Sequence, residues 1–164
     1  MSRLSLVVSL LIGLSGCALA PKNYIEPASG PTARLVIRGP GDTFVAFYNS
    51  AAMCTGRSFI FDIGRGATKT VKVKANELLA LTFNQPGPNY GLTRTRCNVT
   101  VSFVPGDGQT YEAQVATLAT GQGCAVHILK RDRNGDLGNT SVLTFQRKEK
   151  TLQMTENSDF CEPL

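Results

Sequence analysis

The stretch Cys97-Asn98-Val99-Thr100-Val101-Ser102-Phe103 decides the fold class. Its apolar residues stand at 97, 99, 101 and 103, and its polar residues at 98, 100 and 102. Side chains of an extended chain alternate between two faces, so this spacing turns one apolar face to a core and one polar face away from it. A helix of 3.6 residues per turn would scatter the same residues around its axis. The segment reads as a half-buried strand.

The two-residue period continues on both sides. Upstream, Val71 and Val73 alternate with Lys72 and Lys74, and Leu79, Leu81 and Phe83 share one parity within 77–84. Downstream, Tyr111, Ala113 and Val115 alternate with Glu112, Gln114 and Ala116. Further strands are expected at Ala33–Arg38, Thr43–Asn49, Arg57–Ile63, Cys124–Lys130 and Ser141–Gln146. Turn-forming runs separate them: Gly39-Pro40-Gly41-Asp42, Gly64-Arg65-Gly66, Pro86-Gly87-Pro88-Asn89, Pro105-Gly106-Asp107-Gly108, Gly121-Gln122-Gly123 and Asn134-Gly135-Asp136. Short strands broken about every ten residues predict an all-β domain. The expected form is an Ig-like or transthyretin-like antiparallel β-sandwich of about seven to nine short strands.

Composition supports one core. The chain has 164 residues, 42% of them hydrophobic and 18% charged, with a net charge of +5. That balance excludes wholesale disorder and suits a single domain. No run reaches the roughly 18 apolar residues of a membrane-spanning helix.

The N-terminus sets the compartment. Residues 1–17 read MSRLSLVVSLLIGLSGC: one basic residue, a short apolar run and small residues at the end. This is the pattern of an export signal. Leu14-Ser15-Gly16-Cys17 resembles the lipobox of bacterial lipoproteins. The resemblance implies that signal peptide 1–16 is removed, that the Cys17 thiol carries diacylglycerol, and that the new amine takes an acyl chain such as palmitate. The alternative is an ordinary secretory signal cut after Ala18 or Ala20. Lipid on Cys17 would tie the protein to a membrane without crossing it. In enterobacterial lipoproteins an aspartate after the Cys marks inner-membrane retention. Ala18 stands there instead, so the expected location is the outer membrane, facing the periplasm. Residues 17–32 contain three prolines and no apolar period. They read as lipid anchor and flexible tether, with one β domain over 33–164. Within it, CNVTVSFVPGDGQTYEAQV resembles a hairpin of small uncharacterised outer-membrane lipoproteins of proteobacteria, through Phe103, Pro105, Gly108, Tyr111 and Cys124.

With Cys17 used for lipid, Cys54, Cys97, Cys124 and Cys161 remain. An even number in an exported domain predicts two disulfides, with three possible connectivities. Cys97–Cys124 is preferred because both occupy inward positions of alternating strands. It requires those strands to be neighbours or to face each other across a sandwich. Cys54–Cys161 is then left to staple the C-terminal tail to an early loop.

Candidate chemistry is sparse. His127 is the single histidine, and no G-x-S-x-G elbow accompanies it. Asp132-Arg133-Asn134-Gly135-Asp136 matches the start of a calcium loop, but Leu137 and Leu143 stand where glycine and glutamate are needed, so a hairpin turn is expected. No catalytic residue, metal set or cofactor is assigned. Two partner surfaces are candidates. One is the loop Gln85–Thr93, which carries Tyr90 and Leu92 among turn residues. The other is a basic face assembled from Lys69, Lys72 and Lys74 with Lys130, Arg131 and Arg133. Arg147, Lys148 and Lys150 form a third basic group. The expected role is a non-enzymatic binding or accessory module of the cell envelope with a protein partner there. An inhibitor of an envelope-directed hydrolase such as lysozyme is the alternative, and an envelope hydrolase the third reading. Nucleic acid is not an expected partner in this compartment.

Overall fold

The computed structural model describes residues 21–39, 42–90, 93–117, 124–132, 134–150, 155 and 157–163. The stretch at 97–103 is the C-terminal part of a strand running from Thr93 to Phe103. In chain order the strands are β1 (Thr32–Arg38), β2 (Thr43–Ser50), β3 (Thr55–Ile63), β4 (Thr68–Lys74), β5 (Leu79–Tyr90), β6 (Thr93–Phe103), β7 (Thr110–Thr117), β8 (Cys124–Arg131), β9 (Leu137–Ser141) and β10 (Phe145–Arg147). Sheet I has the order β4-β1-β7-β8-β9, and sheet II the order β10-β6-β5-β2-β3.

The sheets face each other as a β-sandwich. Leu35, Ile37, Val73, Ala113 and Ile128 from sheet I meet Val45, Phe47, Leu81, Phe83, Val101 and Phe103 from sheet II in one buried core. Each large side chain removed from water contributes about 1.5–3 kcal/mol. Outside β2, whose Phe44–Tyr48 run is apolar on both parities, these residues follow the two-residue period.

Details depart from the expected meander. The segment Ser141–Gln146 is not one strand: β9 ends at Ser141 and pairs with β8, whereas β10 starts at Phe145 and pairs with β6 in the other sheet. The described residues therefore hold ten strands. Pairing is not wholly antiparallel, since β1 pairs antiparallel with β4 but parallel with β7. The turn after Phe103 does not close a hairpin. It is an arch that carries the chain from sheet II to sheet I. Phe103 and Tyr111 both point inward and meet edge to face, with centroids 5.3 Å apart. The Gly106 N–H donates to the Tyr111 hydroxyl at 2.8 Å, and the Gly108 N–H to the Thr32 carbonyl at 2.8 Å. Gly108 holds φ +66°, which costs glycine little.

The arch explains the cross-links. Cys97 on β6 and Cys124 on β8 belong to different sheets, and their disulfide, with Cα atoms 5.7 Å apart, crosses the sandwich. Cys54 follows β2 and bonds Cys161 in the C-terminal tail, Cα to Cα 5.3 Å.

The N-terminal segment is part of the packed surface. Phe59 of β3 donates its N–H to the Lys22 carbonyl, and its carbonyl accepts the Tyr24 N–H, both at 2.8 Å. The Tyr24 ring stacks on Phe47 at 4.0 Å, and its hydroxyl donates to the Lys72 carbonyl at 2.7 Å. Glu26 accepts the Lys72 N–H at 3.2 Å. Residues 22–26, within the stretch read as tether, thus satisfy backbone groups on the outer edges of β3 and β4. Burial, aided by Glu26, pushes the Tyr24 phenol up to about 12.

Candidate functional site

Sheet II has an unusual outer face. Strands β2 and β3 carry apolar residues on both parities: Val45 and Phe47 point to the core, while Phe44, Ala46 and Tyr48 point away, and Phe59 and Phe61 flank the inward Ile60. Such strands need cover on both faces. The C-terminal tail supplies part of it. Phe160 and Cys161 are buried against Ala46, Tyr48, Ala51, Phe59 and Ala80 in a second, smaller core. The Met53 carbonyl accepts the N–H groups of Phe160 and Cys161 at 3.0 and 3.2 Å. The buried Arg147 guanidinium locks the tail down. It donates to the carbonyls of Ala51 at 2.9 Å and Ala52 at 2.7 Å, and to that of Glu162. Desolvation lowers its pKa below the ordinary arginine value.

Among the described residues, a cleft of about 300 Å³ lies beside Phe160. Ala46 is its floor, and so small a side chain is what leaves the space. Phe44 and Phe59 line one side and meet edge to face, and Phe61, 43% exposed, stacks on Phe59. The Arg57 guanidinium lies over Phe160 at 4.0 Å and Phe59 at 4.8 Å.

The opposite wall is polar and internally bonded. Tyr48, Thr82 and Thr100 hydroxyls stand in line at 2.7 and 2.5 Å, and Thr100 donates to Glu149 at 2.7 Å. Because Thr100 spends its one hydrogen on Glu149, the row runs one way: Tyr48 donates to Thr82, and Thr82 to Thr100. Asn98 donates its amide to the second Glu149 oxygen and accepts from Asn84 at 3.3 Å. The result is a fixed row of amide and carboxylate groups across the cleft from Phe44 and Phe59.

The outer face of sheet I has a different character. Arg34 of β1 is the register partner of Lys72 of β4, so two like charges stand side by side. Glu112 of β7 is fully buried beneath Arg38, whose Nε lies 2.9 Å away, and Arg131, which also contacts it. Gln114 donates to Glu112 at 2.7 Å. His127 is exposed on this face as the register partner of Gln114.

The residues singled out in the sequence are distributed as follows. Cys17, Leu92 and Arg133 lie outside the described residues. Tyr90 is not in a loop: β5 and β6 stay paired out to Tyr90 and Thr93, with a register shift between Pro86 and Asn89. Prolines are tolerated at such an irregularity, which is why a turn-like sequence remains in a strand. Lys72, Lys74 and Arg131 share the outer face of sheet I. Lys69 and Lys130 have the inward parity, as partners of Ile37 and Tyr111, and reach solvent at strand ends. The two basic strands are separated by β1 and β7, so the groups do not form one tight cluster. The Asp132 carboxylate accepts the N–H groups of Asn134 and Asp136 at 2.9 and 2.8 Å, closing the expected hairpin turn.

The cleft residues were not singled out in the sequence. The one signal for them is the unbroken apolar run in Phe44-Val45-Ala46-Phe47-Tyr48, which asks for a second covered face. No family model, curated protein or solved structure matches the chain.

Proposed function

We propose that this chain is a non-enzymatic envelope lipoprotein, held on the outer membrane by lipid on Cys17, whose β-sandwich is a binding module. The observation that carries the reading is the lipobox Leu14-Ser15-Gly16-Cys17 behind a short export signal. Two disulfides support it, because such bonds persist in oxidising compartments. The docked Lys22 supports it further. Five residue steps separate it from Cys17, a reach of at most about 18 Å, so the domain would be held close to the bilayer. Lys72 lies against Tyr24 and Glu26 near that entry point, and cations of this kind each contribute about 1 kcal/mol toward an anionic lipid surface. One acyl chain binds a membrane only marginally, whereas two or three hold it firmly.

Metabolic labelling with palmitate tests the anchor. The wild-type chain is expected to take up label and fractionate with membranes. Cys17→Ala is expected to lose the label and leave the membrane fraction. Equal labelling and membrane retention in that variant would end the proposal.

A further inference from the structure

One end of the sandwich carries most of the exposed apolar side chains. β1, β3, β5 and β7 start there, and β2, β4, β6 and β8 finish there. Phe103 and Tyr111 meet across it. Among the described residues six large apolar side chains are exposed, and five of them stand toward this end. Val104 directly follows β6, Leu137 opens β9 as the partner of Arg131, and Phe145 opens β10 as the partner of Ser102. Leu143, 76% exposed, lies two residues before Phe145. Ile25, 85% exposed, lines a hollow with Lys74, Leu78 and Leu79. The sixth, Phe61, lies beyond Phe59 toward the other end. Single exposed apolar residues need no explanation, but such a concentration at one end does.

The entry of the chain decides what that end faces. Asn23 bridges Phe59 in parallel, so the N-terminal segment runs with β3 and Lys22 points back to the end where β3 begins. Phe59, Ala46, Thr82 and Thr100 are register partners and stand level with Asn23. Val104 lies four positions below that level, about 14 Å, whereas β5 climbs eight positions above it to Tyr90, about 27 Å. The five steps from Lys22 to Cys17 reach at most about 18 Å. A lipid on Cys17 can therefore clear the apolar end and cannot clear the opposite one. A bilayer also suits this end better than a folded partner. The five side chains are spread around it instead of lining one pocket, and a fluid interface needs no matching shape. Two carboxylates there are already engaged: Glu77 lies 3.4 Å from Lys74, and Asp107 accepts the Thr32 N–H at 3.0 Å. Leucine, isoleucine and phenylalanine side chains gain by leaving water at headgroup depth.

We propose that the domain stands on the bilayer by this end, with Ile25, Val104, Leu137, Leu143 and Phe145 dipped into the headgroup layer beside the Cys17 lipid. The proposal rests on the lipoprotein reading, and the two fail in distinguishable ways. A chain without palmitate label overturns both, whereas a labelled chain that stands otherwise overturns only the orientation.

The test uses the lipidated, oxidised chain in nanodiscs of phosphatidylethanolamine with a minority of phosphatidylglycerol, doped with a gadolinium-chelate headgroup lipid. Methyl NMR reads the broadening. The methyls of Ile25, Val104, Leu137 and Leu143 are expected to lose most of their intensity, while those of Ile63, Val115 and Val126, toward the other end, keep theirs. Val104 and Phe145 are exposed, so a Val104→Asp, Phe145→Asp double variant tests the contact with little effect on folding, which unchanged core methyl shifts confirm. It is expected to cut the broadening at Leu143 several-fold with the palmitate label unchanged. Equal broadening at both ends, or broadening centred on Ile63, Val115 and Val126, overturns the proposal. So does a double variant that leaves the pattern as it was. Shifts at Val104 and Leu143 that grow with protein concentration would give this end to a second copy of the chain and overturn it as well.

Discussion

The two outer faces of this sandwich solve the same problem in opposite ways. Sheet I keeps its outer face in water with Arg34, Arg38, Lys72 and His127, and buries one carboxylate, Glu112, under two guanidinium groups. Sheet II fills its outer face with aromatic and small residues and brings the C-terminal tail across part of it. A charged face needs no lid. An apolar one does. The difference teaches that a second apolar parity in a strand calls for a cover, which the C-terminal tail supplies here over Ala46, Tyr48 and Phe59.

The cross-links sharpen the comparison most. Cys54–Cys161 holds the lid and closes a sequence separation of 107, whereas Cys97–Cys124 crosses between the sheets and closes one of 27. Chain-entropy arguments give about 4.8 and about 3.6 kcal/mol respectively. Urea denaturation should therefore show the larger loss in a Cys54→Ser, Cys161→Ser double variant. That variant should also speed amide exchange at Phe160, because the tail is no longer tied to residue 54. Cys97→Ser, Cys124→Ser should keep the cleft. The reverse order of either effect would break the comparison.

Arg147 comes next. Arg147→Met leaves the carbonyls of Ala51, Ala52 and Glu162 without their shared donor, a cost of about 2–4 kcal/mol. Amide exchange should accelerate at Phe160 and Cys161 and stay unchanged in sheet I. On the other face, Glu112→Gln leaves Arg38 and Arg131 without their countercharge. Both arginines reach solvent, so the expected loss is about 1–2 kcal/mol, well below that for breaking a fully buried pair. Thermal unfolding at neutral pH reads it, and a larger loss than in Arg147→Met would reverse the ranking of the two faces.

An effect silent at neutral pH lies at the edge between the sheets. The Tyr24 phenol is held up to about 12 in the folded protein against 10.0 when unfolded. Between those values the unfolded chain releases a proton that the folded chain keeps. Its contribution is complete below pH 10 and is lost as pH rises toward 12. Tyr24→Phe should remove that part of the alkaline decline in denaturation curves.

Much of the fold is legible in the sequence because burial follows parity. Val71, Val73, Val99, Val101 and Phe103 all lie inside, as their alternation requires. The pairing of Cys97 with Cys124 was reachable by the same reasoning. The arch after Phe103 was not, because Pro-Gly-Asp-Gly serves a hairpin and an inter-sheet crossing equally well. Which one forms depends on where Tyr111 and Thr32 sit in the finished core. The docking of Lys22–Glu26 leaves no apolar period in the sequence, because one ring, Tyr24, and bonds to backbone groups on strand edges hold it. Glu149 lies 51 residues from Asn98 and 49 from Thr100, and only the return of the tail to sheet II joins them.

The central claim is that the domain works from a lipid-bearing Cys17. Mass spectrometry of the N-terminal peptide, from protein extracted from its native membrane, measures this directly. The account predicts a peptide beginning at Cys17 with the added mass of diacylglycerol, alone or with one further acyl chain. A peptide beginning at Leu19 or Pro21 without lipid, or one still carrying residues 1–16, would contradict it.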